Sequence, residues 1–551
     1  MLIFTQIYIP LTNMKHPLIF LLIFAALQCQ AQSSIPHLAM KSGRRQLVVD
    51  GKSFVITGGE LGNSTASSTA YMQPFWHGLE QLNLNTVIAP VYWELMEPQE
   101  NKFDFKLVDD LLTNARKHQM KLVLLWFGTW KNSMSCYVPE WMKTDQQRFP
   151  RTQNSTGTSA EIVTPFSKNA LGADKKAFVK LMQHLKATDA VNHTVLMVQV
   201  ENEIGMLPEA RDHSPMAEQA FKQPVPAALI SYLETHKENL FPEIKERWAQ
   251  NNFKTSGTWV DIFGAGPATD ELFMAWYFGV YAEEITKAGK SVYPLPMYLN
   301  AALNAPGKKP GEYPSAGPLP HVADIWSAAA PSVDMLSPDF YNPDFKHWND
   351  LYTRNGNVLF IPEHRFEPGV EAKAFYAIGH YHAIGFSPFS IENKEKPNEE
   401  PIAKAYQVIH RLWPAISNAA ADHAEGVLLS KTNDSVQLKM GGYLLTVKHD
   451  FTLSWSAKPK DKTSDWPLTG GIIVAVSDDE FYVGGTGIVI TFKPIPAGER
   501  AGILRVEEGD IVNGQWKPAR RLNGDEDHQG RHLSIPVGTF GLQRIKLYHY
   551  K

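Results

Sequence analysis

Between about residues 45 and 415, short apolar runs of strand length alternate with segments whose apolar residues recur at helical spacing. Parallel strands need a long crossover between them, and a helix is the usual one. The alternation therefore restricts the chain to a parallel sheet covered by helices. Strands are expected at Phe54–Ile56, Thr86–Ala89, Lys121–Phe127, Val195–Val200, Met297–Leu299, Asp334–Leu336, Val358–Ile361 and Gly385–Phe386. Helices are expected at Tyr71–Leu82, Phe105–His118, Lys175–Asp189 and Glu400–Leu412. In the second of these, Phe105, Val108, Leu111, Leu112 and Ala115 share one face. Eight such units predict an α/β fold, a (β/α)8 TIM barrel.

The pattern changes near residue 420. Runs starting at Gly426, Val436, Tyr443, Gly471, Glu480 and Gly487 are short and split by Gly, Asp, Asn and Pro. That texture predicts an all-β sandwich-like C-terminal domain. The expected organisation is residues 1–31 as a signal peptide, 32–420 as the catalytic barrel and 421–551 as the β-sandwich.

The signal reading rests on Lys15 and His16, the apolar run Pro17–Leu27, and small residues up to Ala31. Met14 opens it as well as Met1 does. The run is too short to span a bilayer. The expectation is export to the periplasm or beyond, with no stable membrane insertion after signal removal. Cleavage would take Cys29 and leave Cys136 alone, so no intrachain disulfide is expected. A formal charge of −4 gives no reason to expect nucleic-acid binding. With 14 Trp, 19 Tyr and 28 Phe the chain can furnish a stacking surface as well as a core.

Reacting groups of a barrel lie at the C-terminal ends of its strands. The fourth strand runs into Gln199-Val200-Glu201-Asn202-Glu203-Ile204-Gly205, and the seventh into Pro362-Glu363-His364-Arg365. Each places a carboxylate at the mouth. Two carboxylates there are the minimum for cleaving a glycosidic bond: one protonates the leaving oxygen, and the other attacks the anomeric carbon or activates a water. Polar candidates for the sugar hydroxyls are Glu60 and Asn63 after the first strand, Lys131 and Asn132 after the third, and Asn300 after the fifth. Trp130 is the leading candidate for stacking on the ring, beside Trp93 and Trp126. Arg365 and Tyr341 are candidates for holding Glu363 ionised. His364, His380 and His382 lack the spacing of a metal site, so no metal and no cofactor are expected.

The segment from Gln199 to Gly205 closely resembles the acid/base motif of glycoside hydrolase family 35, the β-galactosidases. Leu82–Val87, Trp93 with Glu97-Pro98, Phe103–Phe105 and Leu107–Leu112 resemble that family upstream. The resemblance implies a retaining enzyme with Glu203 as acid/base and Glu363 as nucleophile. It also places Asn202 at the sugar 2-hydroxyl, and Tyr341 resembles a tyrosine set against the nucleophile in related barrels. Departures fall at Pro90–Glu94 and Thr129–Asn132, where the chain shares character with family 42 β-galactosidases and looks like a divergent bacterial branch. The expected function is exo-acting β-galactosidase, with carbohydrate as the partner. A different sugar specificity on the same barrel stays open, as does a non-catalytic carbohydrate-binding protein.

Overall fold

The computed structural model describes residues 35–456 and 466–551. The expected signal segment, with Met14, Cys29 and Ala31, lies outside the described residues. Eight parallel strands close the barrel: β1 Ile56–Glu60, β2 Thr86–Tyr92, β3 Lys121–Lys131, β4 Val195–Asn202, β5 Met297–Ala302, β6 Met335–Phe340, β7 Ile361–His364 and β8 Gly385–Pro388. Residues of β2, β4, β7 and β8 are buried throughout. This is why these strands read as unbroken apolar runs rather than alternating ones.

Strand limits differ from the expected ones at β1 and β7. Phe54 ends an antiparallel three-stranded sheet, His37–Lys41, Arg44–Val49 and Lys52–Phe54, that precedes the barrel. The barrel strand itself begins at Ile56 and includes Gly58 and Gly59. A Cβ on Gly58 would lie 2.3 Å from Ser387 Oγ, and one on Gly59 2.3 Å from Ile391 Cγ2. Close packing demands glycine there, and glycine hides the strand from an apolar count. The expected helix at Tyr71–Leu82 is interrupted. Pro74 stands in a 3₁₀ turn between helices Thr69–Met72 and Trp76–Gln81.

Four helices matter for the site and its support: α1 Lys168–Asp189, α2 Pro267–Val292, α3 Val370–Gly379 and α4 Pro401–Asn418. Beyond α4 the chain forms a six-stranded and a four-stranded antiparallel sheet. The six-stranded sheet is buried on both faces. Ile472, Val474, Tyr482 and Leu542 join the barrel core, while Ile473, Phe481, Val483 and Ile545 join the core between the two sheets. Period-two alternation sends each neighbour to the opposite face. Gly379 at the end of α3 lets the helix rest on this sheet, since its Cβ would lie 2.6 Å from Gly426 Cα. Long strands at Arg500–Val512, Gln515–Leu522 and Gly541–Tyr550 complete the six-stranded sheet. Their polar alternation escaped the search for apolar runs. No helix among the described residues is long and apolar enough to cross a membrane.

Candidate active site

The ends of β1, β3, β4, β6 and β7 bring Glu60, Lys131, Glu203, Asp339 and Glu363 into one electrostatic cluster. Glu363 is the third residue of β7 and pairs in register with Asp339 of β6. Lys131, the last residue of β3, pairs with Asn202, the last of β4. Glu203 is one residue further on. Its backbone N–H donates to Asn300 Oδ1 at 2.9 Å, and its carbonyl accepts from Ser133 N–H at 3.0 Å. Both Glu201 (φ 61°) and Glu203 (φ 44°) adopt left-handed backbone. Such a conformation costs a non-glycine residue about 1–3 kcal/mol and breaks strand alternation. Residues two apart therefore no longer share a face. The Glu201 carboxylate accepts from Trp130 N–H at 2.7 Å, outside the barrel wall, whereas Asn132 Nδ2 donates to the Glu203 carboxylate.

Glu363 is 5% exposed, as is Glu203. The Tyr341 hydroxyl donates to Glu363 Oε1, and the Arg365 guanidinium lies over the Tyr341 ring, 5.5 Å from its centre. Burial raises the Glu363 carboxyl to about 7; the nearby charge of Glu203 adds to the rise, and Lys131 and the donors oppose it. Burial, then Glu363, push Glu60 well above the carboxylate range. Glu60 thus keeps its proton and shares it with Glu363, which holds the charge. Asp339 is also raised, by burial and then by the charges of Glu363 and Glu203, and hydrogen-bonds Glu203. Its other partner is Asn300 Nδ2, at 2.6 Å.

One feature distinguishes Asn202. The residue is 1% exposed, yet neither its Oδ1 nor its Nδ2 has a partner among the described residues. Buried amides are nearly always hydrogen-bonded, so an amide left open at a barrel mouth marks a ligand position. Asn63 Oδ1, following β1, is likewise buried and unpartnered. Lys131 is buried with its ammonium 5.2 Å from the Phe127 ring centre.

Other expected contacts are moved elsewhere. Trp130 faces away from the mouth, fully buried against Phe278 and Tyr281, with Nε1 donating to Val163 O at 3.1 Å. It does not offer a stacking face; β3 runs to Lys131, and alternation turns Lys131 inward and Trp130 outward. Trp93 and Trp126 are fully buried too, donating to Glu97 and Asp174 respectively. Asn300 lies within β5, its amide committed to Glu203 N–H and Asp339. Among the histidines, His380 pairs with Glu425, His382 with Arg44, and His364 with the Arg365 carbonyl.

Asp339 and Tyr298 are the residues that sequence reasoning missed. Asp339 stands beside Tyr341 in Pro338–Asn342, a segment read as loop although β6 runs to Phe340. Tyr298 is buried in β5 with its hydroxyl unpartnered, close enough to Glu60, Asp339 and Glu363 for their charges to raise it. A signal was present for Asp339: a carboxylate in the same strand-end position as Glu363.

A barrel with paired carboxylates at its mouth is the architecture of many glycoside hydrolases, and comparison with known proteins narrows this. A family model described as Beta-galactosidase, that of glycoside hydrolase family 42, matches residues 71–264, the stretch with β2 to β4 and Glu203. The match marks this part of the barrel as of glycoside-hydrolase type, and it falls to family 42 rather than to family 35. A second model, described as a domain of unknown function, matches residues 402–534, from α4 into the β-rich part. No curated protein matches the sequence. Among solved structures, a β-galactosidase from Bacillus circulans sp. alkalophilus aligns at TM-score 0.46 and 14% identity, over 65% of this chain and 56% of that one. A β-galactosidase from the psychrophilic Marinomonas ef1 aligns at 0.44 and 13%, over 67% and 61%. The catalytic domain of a Paenibacillus polymyxa β-amylase aligns at 0.43 and 11%, over 62% and 94%. The chain thus spans less than two thirds of the length of either β-galactosidase.

Proposed function

We propose that the protein is a retaining, exo-acting β-galactosidase that removes terminal β-galactosyl residues from oligo- or polysaccharides. The observation that carries this reading is the pair Glu203 and Glu363: two buried carboxyls from β4 and β7, near enough for one to raise the other. The family match over residues 71–264 supports the sugar class.

In the first step ionised Glu363 attacks the anomeric carbon, and Glu203 protonates the departing oxygen. In the second, water attacks the glycosyl-enzyme and Glu203 takes the proton back. Donors on Glu363 from Tyr341 and Glu60 hold the attacking oxygen's orientation. The Asp339–Glu203 pair keeps a proton beside the leaving oxygen, and such a pair titrates as a unit. Asn202 supplies an open amide for the sugar 2-hydroxyl, a contact that strengthens as positive charge develops on the ring. Lys131, Asn132 and Asn63 complete the polar lining. The protein acts after export, in the periplasm or outside the cell, on a carbohydrate partner.

The test is a panel of aryl β-glycosides, followed by NMR of the first-formed sugar. The expected result is fastest cleavage of the galactoside with the β-anomer released first. Faster cleavage of another sugar removes the galactosidase label, and release of the α-anomer removes the double displacement.

A further inference from the structure

A cavity of about 580 Å³ opens among the loops that follow β5 and β6, a volume within the usual range of ligand sites. Those two strands stand between β4, which leads to Glu203, and β7, which carries Glu363. Asn342, in the cavity wall, is the neighbour of Tyr341, whose hydroxyl donates to Glu363. Asn342 Nδ2 reaches the Asn304 carbonyl at 3.5 Å and ties the two loops together. The Tyr341 ring, 41% exposed, lies on the way from the carboxylates to the cavity.

The lining suits a hydroxylated, uncharged ligand. Trp348 and Tyr313 supply aromatic walls, and His347 lies edge-on to Trp348. Asn304 Oδ1 is buried without a donor, which invites a hydroxyl. The buried Glu271 carboxylate is already satisfied by His321 at 3.0 Å and the Tyr313 hydroxyl at 2.9 Å. Of the other charged groups in the wall, Glu243 and Asp344 outnumber Arg247. An anionic sugar therefore finds no net positive seat.

We infer that this cavity is the leaving-group subsite, holding the neutral oligosaccharide from which the terminal sugar is cut. The inference rests on the glycosidase reading and adds where the rest of the glycan lies: past Tyr341, over the ends of β5 and β6. A leaving group of one sugar stays near the carboxylates, whereas a longer one reaches Asn304.

The experiment uses the full chain, with Asn304→Ala and His347→Ala. Two substrates are compared, 4-nitrophenyl β-galactoside and a gluco-oligosaccharide capped by a terminal β-galactosyl group. The ratio of kcat/KM on the oligosaccharide to that on the aryl glycoside is expected to fall about tenfold in each variant, the effect of losing one hydrogen bond or packing contact. An unchanged ratio in both overturns the subsite, including the case where both activities drop together. Calorimetric titration with cellotriose alone reads the cavity without turnover. The variants are expected to bind it about tenfold more weakly than the unmodified chain, and equal binding, or none to the unmodified chain, overturns the proposal. Absence of all hydrolysis with this binding difference intact would sink the glycosidase reading and keep the subsite.

Discussion

Glu201 and Glu203 are two residues apart, both are buried carboxyls, and they work on opposite sides of the barrel wall. Outside, Glu201 meets Asp174 of α1 in a network that closes on itself. Asp174 accepts from Trp126 Nε1 at 2.8 Å, from Thr129 Oγ1 at 2.6 Å and from the Tyr281 hydroxyl of α2 at 3.3 Å. Burial, then Asp174, raise Glu201 well above the carboxylate range, so it donates its proton to that neighbour. Inside, Glu203 and Glu363 share their surroundings with an amide that has no partner, Asn202, and a hydroxyl that has none, Tyr298. The outer cluster spends its polar groups on one another and contributes rigidity. The inner one leaves some of them open, which is what a binding site requires.

Four substitutions test that contrast. Glu363→Ala is expected to lower kcat on the order of 10⁴-fold or more, the scale of losing a nucleophile, with thermal stability kept; a variant that still turns over at near the original rate breaks the contrast at its root. The effect of Asp174→Ala should fall on stability, about 3–5 kcal/mol in chemical denaturation, since several buried donors lose their acceptor. Unchanged stability would mean that the outer network holds nothing. For Asn202→Ala the expected loss is about 10²-fold in kcat/KM with little change in melting temperature, because no internal hydrogen bond is removed. A large stability loss with KM and kcat intact would make it structural. The smallest effect belongs to Glu201→Gln, within about 1 kcal/mol at pH 5. Here the sign of the pH dependence is the readout. The Glu201 carboxyl is raised in the folded state, so its contribution is full below its unfolded value and is lost as pH rises through the folded one. Glutamine does not titrate, so the variant should gain on the original chain as pH rises; parallel curves would remove the proton from the Glu201–Asp174 pair.

The inner cluster has its own pH signature. Attack needs ionised Glu363, whose carboxyl titrates at about 7. Hydrolysis of an aryl glycoside, which needs little acid help, is expected to fall as pH drops below 7 and to level above it. A profile that stays flat to pH 5 would place the charge elsewhere.

The barrel was legible because its strands are buried on both faces, and an unbroken run such as Leu122–Phe127 has no other use in a chain of this length. Glu203 and Glu363 were legible for a related reason: each follows such a run at the end where barrels do chemistry. What escaped was whatever depends on parity or on backbone outside the regular regions. Trp130 looked like a mouth residue until β3 proved to extend through it. Asp339 was hidden because β6 is longer than its apolar core. The left-handed backbone at Glu201 and Glu203, which aims the two carboxyls apart, leaves no trace in residue types at all. The apolar-run count also missed β1, where two glycines stand for close packing instead of side chains.

The central claim is that Glu363 is the attacking carboxylate and Glu60 its protonated neighbour. A 2-deoxy-2-fluoro-β-galactoside with a good leaving group slows the second step and traps the glycosyl-enzyme. Peptide mass spectrometry after that treatment is expected to find one sugar on the peptide containing Glu363, with Glu60 unmodified. A sugar on Glu60, or full inactivation without any adduct, would contradict the account.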